Sequence, residues 1–246
     1  MNRNTIVKPS HEKVYQQGGI YCGYNPHQIE SFTPDIFDSE YWQSQGLVVG
    51  TATGRGTTYF VQHETGQWVL RHYYRGGLIG KIFNDGFVYL GIDNTRAALE
   101  YQLLNTMHDL GLPVPEPIAY RVMRHGLYYR CDLITTRIIN SQDLVAVLSK
   151  APLTDKQWRK IGRCIAQFHQ HGIYHHDLNS HNILLDDNEK IWLIDFDRGE
   201  KRPVKQSWQQ ANISRLHRSF RKEKTRLSTF HWQESDWQYL MEGYLL

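Results

Sequence analysis

The stretch Ile173–Arg198, IYHHDLNSHNILLDDNEKIWLIDFDR, decides how this chain is read. Two short apolar runs, Ile183-Leu184-Leu185 and Ile191-Trp192-Leu193-Ile194, flank the polar segment Asp186-Asp187-Asn188-Glu189-Lys190. Short β-rich runs on either side of an Asp/Asn turn predict a hairpin. With the turn centred near Asn188 and Glu189, Asn182 and Asp195 are expected side by side at the open end. Asp177 lies five residues before Asn182, in a segment too polar to be a buried strand. One loop and one hairpin should therefore gather Asp177, Asn182 and Asp195 into a single site.

Two carboxylates and an amide so placed suit a hard divalent cation, which takes oxygen ligands and keeps positions for water and phosphate. A carboxylate outside the ligand shell can accept a proton from an attacking hydroxyl. Residue by residue, a surface hairpin with polar flanks would read the same way. The whole pattern, with thirteen positions from Asn182 to Asp195, is more specific. It resembles the catalytic-loop and metal-loop pair of protein-kinase-like phosphotransferases, H-x-D-x-x-x-x-N followed by D-F-x. Here it stands as His175-His176-Asp177-Leu178-Asn179-Ser180-His181-Asn182, then Asp195-Phe196-Asp197. The resemblance implies ATP and Mg²⁺, with Asp177 as the catalytic residue and Asn182 and Asp195 as metal ligands.

A chain of 246 residues with 40% hydrophobic and 22% charged content is globular, either one large domain or two small lobes. The expected class is α+β, a two-lobed protein-kinase-like fold with a truncated C-terminal lobe. Residues 1–137 would form a lobe of mainly β sheet plus one helix, and residues 138–246 a helical lobe carrying the catalytic and metal loops. Cys22, Cys131 and Cys164 are far apart and form neither a metal pair nor a disulfide framework, which fits a reducing compartment. No apolar run approaches a membrane span, and the first residues lack a signal-peptide core.

Residues 1–46 are weakly patterned, broken by Pro9, Pro26 and Pro34, with a short helix expected from about 35 to 45 that buries Phe37 and Tyr41. From Leu47 the chain reads as strand, glycine-rich turn and further strands. Gly50, Gly54 and Gly56 admit close backbone approach to a ligand, and the resemblance makes this the loop over the nucleotide phosphates, though glycines are also ordinary in hairpin turns. The strand Trp68-Val69-Leu70-Arg71 ends on Arg71 where kinases carry a phosphate-binding lysine, and Lys81 is the rival for that role. A helix from about 95 to 110 follows, with Ala97, Tyr101, Leu104 and His108 near one face and Gly111 and Pro113 after it. Glu100 borders that face, and Arg71 is its natural partner; the alternative is an exposed glutamate on an ordinary amphipathic helix. A linker near 135–140 should divide the lobes, and its backbone would hold adenine if the resemblance holds.

In the second lobe, Thr154-Asp155-Lys156-Gln157 has capping-box form, and Trp158, Ile161, Ile165 and Phe168 recur at helical spacing up to Gly172. His169, His171, His175, His176 and His181 cluster nearby. A transition-metal site is the alternative to a scaffold role, but no carboxylate-flanked His-x-x-x-His pair lies within a helix. His176 stands where kinases have an arginine that docks an activation-loop phosphate.

Only 51 residues follow Asp195, and no Ala-Pro-Glu segment is among them, so the acceptor is expected to be a small molecule or lipid-linked sugar rather than a protein. Asp197 replaces the glycine of the metal motif. GRGTTYFV, WVLRHYYRGGLIGKI, LGLPVPEPIAY, YHHDLNSHNILL and IDFDRG together resemble the 3-deoxy-D-manno-octulosonic acid (Kdo) kinases of Gram-negative bacteria. The resemblance implies ATP-dependent phosphorylation of the 4-hydroxyl of Kdo on Kdo-lipid A precursor, at the cytoplasmic face of the inner membrane. Core heptose kinases are the nearest alternative. A pseudokinase or basic nucleic-acid-binding module is the non-enzyme one, against which the joint presence of Asp177, Asn182 and Asp195 counts. No nucleic-acid partner and no obligatory protein partner is expected.

The net charge of +3 is unevenly spread: Lys201–Arg226 holds nine Lys/Arg and one acid, Glu223. Trp208, Ile213, Leu216 and Phe220 recur there at helical spacing, with Arg215, Arg218, Arg221 and Lys222 between them. The stripe should pack on the lobe. The cations either form a solvated basic face or meet the acceptor's anionic groups and the anionic inner-membrane surface.

Overall fold

The computed structural model describes residues 12–53, 56–74 and 85–246. Gly54 and Lys81 lie outside the described residues. Among the described residues, one compact unit takes in 12–106 together with Glu116–Arg137, and the other takes in Met107–Pro115 and Ile138–Leu246.

The first unit opens with β1 (Lys13–Gln17) and β2 (Ile20–Tyr24), an antiparallel hairpin turning at Gly18-Gly19, both at positive φ. Two consecutive positive-φ residues match the right-handed twist of paired strands. Residues 12–46 are thus better patterned than expected, and the Gly-Gly between KVYQQ and IYCGY is the signal. A 3-10 turn, Pro34–Phe37, precedes α1 (Ser39–Ser44). Extended backbone at Asp38 resets the helical phase between them, so Phe37 and Trp42 are buried rather than Phe37 and Tyr41. Trp42 Nε1 donates to the Ile36 carbonyl at 2.8 Å.

Then come β3 (Val48–Thr53), β4 (Thr57–His63), β5 (Gly66–His72), β6 (Phe87–Val88), α2 (Arg96–Asp109), β7 (Pro117–His125) and β8 (Tyr128–Thr136). They form one antiparallel sheet in the order β1-β2-β7-β8-β5-β4-β3, with β6 also paired to β8. Val61, Trp68, Leu70, Ala119 and Ile134 pack with Ile36, Phe37 and Trp42 in one core. Helix α2 is buried around most of its circumference, with Glu100 and Gln102 among its covered residues. His108, expected on the packed face, is exposed.

The second unit contains β9 (Ser141–Asp143), α3 (Leu144–Leu148), α4 (Asp155–Gln170), β10 (Ile173–Tyr174), β11 (Ile183–Asp186), β12 (Ile191–Leu193), β13 (Glu200–Lys201), α5 (Gln206–Arg226) and α6 (Glu234–Leu245). The capping box at Thr154 and Gln157 starts α4, and Trp158, Ile161, Ile165 and Phe168 are buried along it. Helices α4 and α6 approach through glycines. A Cβ at Gly162 would meet the Leu240 carbonyl oxygen, and one at Gly243 the Arg159 carbonyl oxygen. That closeness brings the end of α6 beside His169 of α4. On α5 the apolar stripe Trp208, Ile213, Leu216 and Phe220 is buried as its spacing predicts.

Candidate active site

β11 and β12 form the expected hairpin, in the register Ile183↔Leu193, Leu184↔Trp192, Leu185↔Ile191. The turn centres on Asn188, because one oxygen of Asp186 accepts the N–H groups of both Asn188 and Lys190, at 2.9 Å each. Asn182 therefore faces Ile194, whose N–H it accepts at 3.1 Å, and Asp195 lies one residue beyond the position predicted for it. Asp195 holds φ 62. Left-handed backbone is costly for L-residues, tolerated best by Asn and Asp, and concentrated at functional sites. β9 adds a third strand to the hairpin through Leu184↔Asp143.

The loop before the hairpin is built on His175. Its Nδ1 accepts the Asp177 N–H at 3.1 Å and its Nε2 donates to the Ile194 carbonyl at 2.9 Å. These two bonds select one neutral tautomer, and burial lowers the imidazole's pKa in the same sense. The ring packs 4.6 Å from that of Phe196. His175 thus ties the Asp177 loop to the backbone leading into Asp195. The side-chain amide of Asn182 donates to the Asp177 carbonyl at 2.9 Å, which joins the two candidate residues directly.

The loop is then laid along one face of α5. Asn212 Nδ2 donates to the His175 carbonyl at 2.7 Å. Arg215 grips Asp177 Oδ1 through Nε at 2.9 Å and Nη2 at 2.7 Å. Ser219 Oγ accepts the Ser180 N–H at 3.1 Å, and Glu223 Oε1 lies 3.6 Å from His181 Nε2. Spacings of three and four put these residues on one helical stripe. Asn212 is also bonded to His169 Nε2 at 3.2 Å, and His169 Nδ1 to Tyr244 Oη at 2.7 Å. Burial pushes His169 down to about 4, so it is neutral. Both ring nitrogens of His169 and of His175 are occupied by protein groups, which removes these two from the metal-site alternative.

The four cations expected on the outer face of α5 divide. Arg215 holds Asp177, and Arg221 pairs with Glu234 at 2.8 Å. Arg218 and Lys222 are exposed. The polar stripe facing the loop escapes sequence reading because its residues are hydrophilic, and hydrophilic residues on a helix read as solvent-facing.

In the sheet unit, Arg71 and Glu100 meet at 2.5 Å between Nη2 and Oε2. A third member was not legible in the sequence. Tyr73 Oη donates to Glu100 Oε2 at 2.6 Å and accepts from Arg71 Nη2 at 2.9 Å. Tyr73 lies two residues beyond Arg71, and period-two alternation puts both on the same side of the extended chain. That alternation is the signal that could have found it. Gly50 follows an irregularity in the β3–β4 register. A Cβ at Gly56 would collide with the Tyr74 ring, so its missing side chain is filled by packing.

Asn182 and Asp195 supply an amide oxygen and a carboxylate. The Asn182 N–H is spent on Asp177, and the amide is thereby oriented with Oδ1 left to accept. Hard oxygen donors of this kind fit a divalent cation of the Mg²⁺ type.

The model of the lipopolysaccharide kinase (Kdo/WaaP) family matches residues 39–244. The chain is 46% identical over 229 residues to a 3-deoxy-D-manno-octulosonic acid kinase of Vibrio parahaemolyticus, covering 93% of this chain and 95% of that protein. It is 45% identical over 223 residues to the protein of the same name from Photobacterium profundum, covering 91% and 94%. Against that of Vibrio cholerae it is 50% identical over 184 residues, covering 75% and 78%.

Proposed function

This chain belongs to the lipopolysaccharide kinase (Kdo/WaaP) family, and we propose that it transfers the γ-phosphoryl group of ATP to the 4-hydroxyl of Kdo on a Kdo-lipid A precursor. It is a carbohydrate kinase that uses ATP. The observation that carries the proposal is the Asn182–Asp177 bond within a loop held by His175, in a chain whose relatives are named Kdo kinases.

In this reading Asp177 accepts the proton of the sugar hydroxyl as the phosphoryl group transfers. Asn182 and Asp195 would hold Mg²⁺, which when bound would offset the charge of the phosphates. Arg71, kept in place by Glu100 and Tyr73, binds phosphate oxygens. The acceptor is lipid-linked, and the enzyme works as a peripheral protein on the cytoplasmic face of the inner membrane. Among the described residues no helix is long and apolar enough to cross a bilayer. Exposed Arg218 and Lys222 would meet the anionic lipid surface.

The test is incubation of the purified protein with ATP, Mg²⁺ and Kdo-lipid A precursor, with the product's phosphate located by NMR. Phosphate on the Kdo 4-hydroxyl is expected. Transfer to a heptose-bearing core acceptor alone would overturn the assignment.

A further inference from the structure

Arg215 reaches Asp177 from a helix 38 residues downstream, and both of its bonds fall on the single oxygen Oδ1. Oδ2 remains for the acceptor's hydroxyl. A guanidinium has five N–H donors in a rigid fork. Two are used here, and among the described residues the other three have no protein partner. Exposure sets this contact apart from its neighbours on the same stripe. Asn212 and Glu223 are 2% and 3% exposed, whereas the side chains of Arg215 and Asp177 are 47% and 50% exposed. Exposed ion pairs contribute little to stability. The guanidinium can therefore take a second anion at small cost to the fold, while buried Asn212 and the apolar stripe keep α5 in place.

The acceptor of the proposed reaction is itself an acid, so its carboxylate must come close to the carboxylate of Asp177. Two like charges brought together repel unless a cation lies between them. Arg215 is a cation already in contact with the base, and a guanidinium matches carboxylates on two edges as an ammonium does not.

We propose that Arg215 is the residue that binds the acceptor's carboxylate, bridging it to Asp177 Oδ1 and so delivering the sugar hydroxyl to Oδ2. This rests on the reading of the acceptor as a sugar acid. It makes Arg215 a determinant of specificity, selecting ulosonic acids over neutral sugars that carry an equivalent hydroxyl.

The experiment crosses two enzymes with two acceptors: wild type and Arg215→Gln, each given the Kdo-lipid acceptor and an analogue whose carboxyl is reduced to the alcohol. Losing one charge-assisted contact should lower kcat/KM by about 10- to 100-fold. Wild type should lose that factor on the reduced analogue. Arg215→Gln should lose it on the natural acceptor and then no longer distinguish the two. Arg215→Lys, which keeps the charge and not the fork, should recover part of the discrimination. The KM for ATP should stay constant throughout, which also reports that the variants are folded. If Arg215→Gln slows both acceptors equally and keeps the wild-type preference, Arg215 only steadies the base and the proposal fails. If wild type phosphorylates neither acceptor, the Kdo reading fails and this inference goes with it. If wild type phosphorylates both equally, the Kdo reading stands and the carboxylate site alone is overturned.

Discussion

Asn212 donates its side-chain N–H to the carbonyl of His175 at 2.7 Å, so the loop that carries the candidate base is held by a helix that follows it in the chain. The same amide accepts from His169, whose other nitrogen meets Tyr244 near the C-terminus. Each polar group in this buried run has a partner. Buried networks of this kind are rigid when complete and costly when broken.

Asn212→Ala leaves the His175 carbonyl and His169 Nε2 without that partner. Unsatisfied buried groups cost about 1–3 kcal/mol each. The variant should unfold at lower denaturant and lose turnover, with Tyr244→Phe showing a smaller effect in the same direction. Urea titrations of both proteins check this, and an unchanged midpoint for Asn212→Ala would remove the loop-holding role.

Arg71, Tyr73 and Glu100 share one short set of bonds in the sheet unit. Tyr73→Phe should cost about 1 kcal/mol of stability and raise the KM for ATP. Arg71→Ala and Glu100→Ala should be non-additive by about 0.5–3 kcal/mol, as expected for residues in contact. Simple additivity in ATP binding would return Lys81 as the phosphate-binding cation.

Asp177 and Asp195 should fail differently. General-base assistance is worth about 10²–10⁴ in rate, so Asp177→Asn should lower kcat by that much while nucleotide still binds. Asp195→Ala should weaken metal-nucleotide binding as well. Mg²⁺ titration of nucleotide binding separates them, and an unaltered metal requirement in Asp195→Ala would take it out of the metal site.

His169 gives a dependence on acid. Its pKa in the fold, about 4, lies below the ordinary 6.5 because burial disfavours the charged ring. The unfolded chain therefore binds the extra proton first, and stability present above pH 6.5 is lost as pH falls toward 4. At 1.36 kcal/mol per unit, the full loss is about 3 kcal/mol. His175 shifts in the same direction through its own burial. Chemical denaturation at pH 7 and pH 4.5 should show a smaller acid loss in His169→Gln than in wild type; equal losses would assign the acid limb elsewhere.

Among the described residues Arg218 and Lys222 are the cations of α5 left to meet an anionic surface, since Arg215, Arg221 and Arg226 pair with carboxylates and Lys224 donates to the Phe230 carbonyl. Each Lys or Arg near an anionic bilayer contributes about 1 kcal/mol, screened by salt. Arg218→Gln with Lys222→Gln should reduce sedimentation with anionic vesicles about 10-fold or more and leave ATP affinity unchanged. Wild-type protein that ignores both lipid charge and salt would show this face to be solvated only.

The hairpin over 183–193 and helix α4 are legible in the sequence because both are encoded locally. Period-two runs about an Asp/Asn turn, and a capping box before a 3.6-period stripe, depend on neighbours within a few residues. The Arg71–Glu100 pair is legible for another reason, namely that a buried carboxylate on a helix must find a cation. Tyr73 escapes because an aromatic beside a strand end reads as ordinary core. The one-residue difference at Asp195 arises from the carboxylate of Asp186, which sets the centre of the turn through bonds that composition does not reveal.

By itself the sequence determines the chemistry available: two carboxylates and an amide at a kinase-like spacing, and a basic amphipathic helix after them. Only the tertiary structure decides what that helix does. Its polar residues 212, 215, 219 and 223 read as facing outward from the lobe, yet they bind His175, Asp177, Ser180 and His181 in turn. Local periodicity specifies which face of a helix is apolar, but not which distant polar groups will meet the other face. That depends on how the buried stripe of Trp208, Ile213, Leu216 and Phe220 seats the helix, and seating is a property of the packed core as a whole.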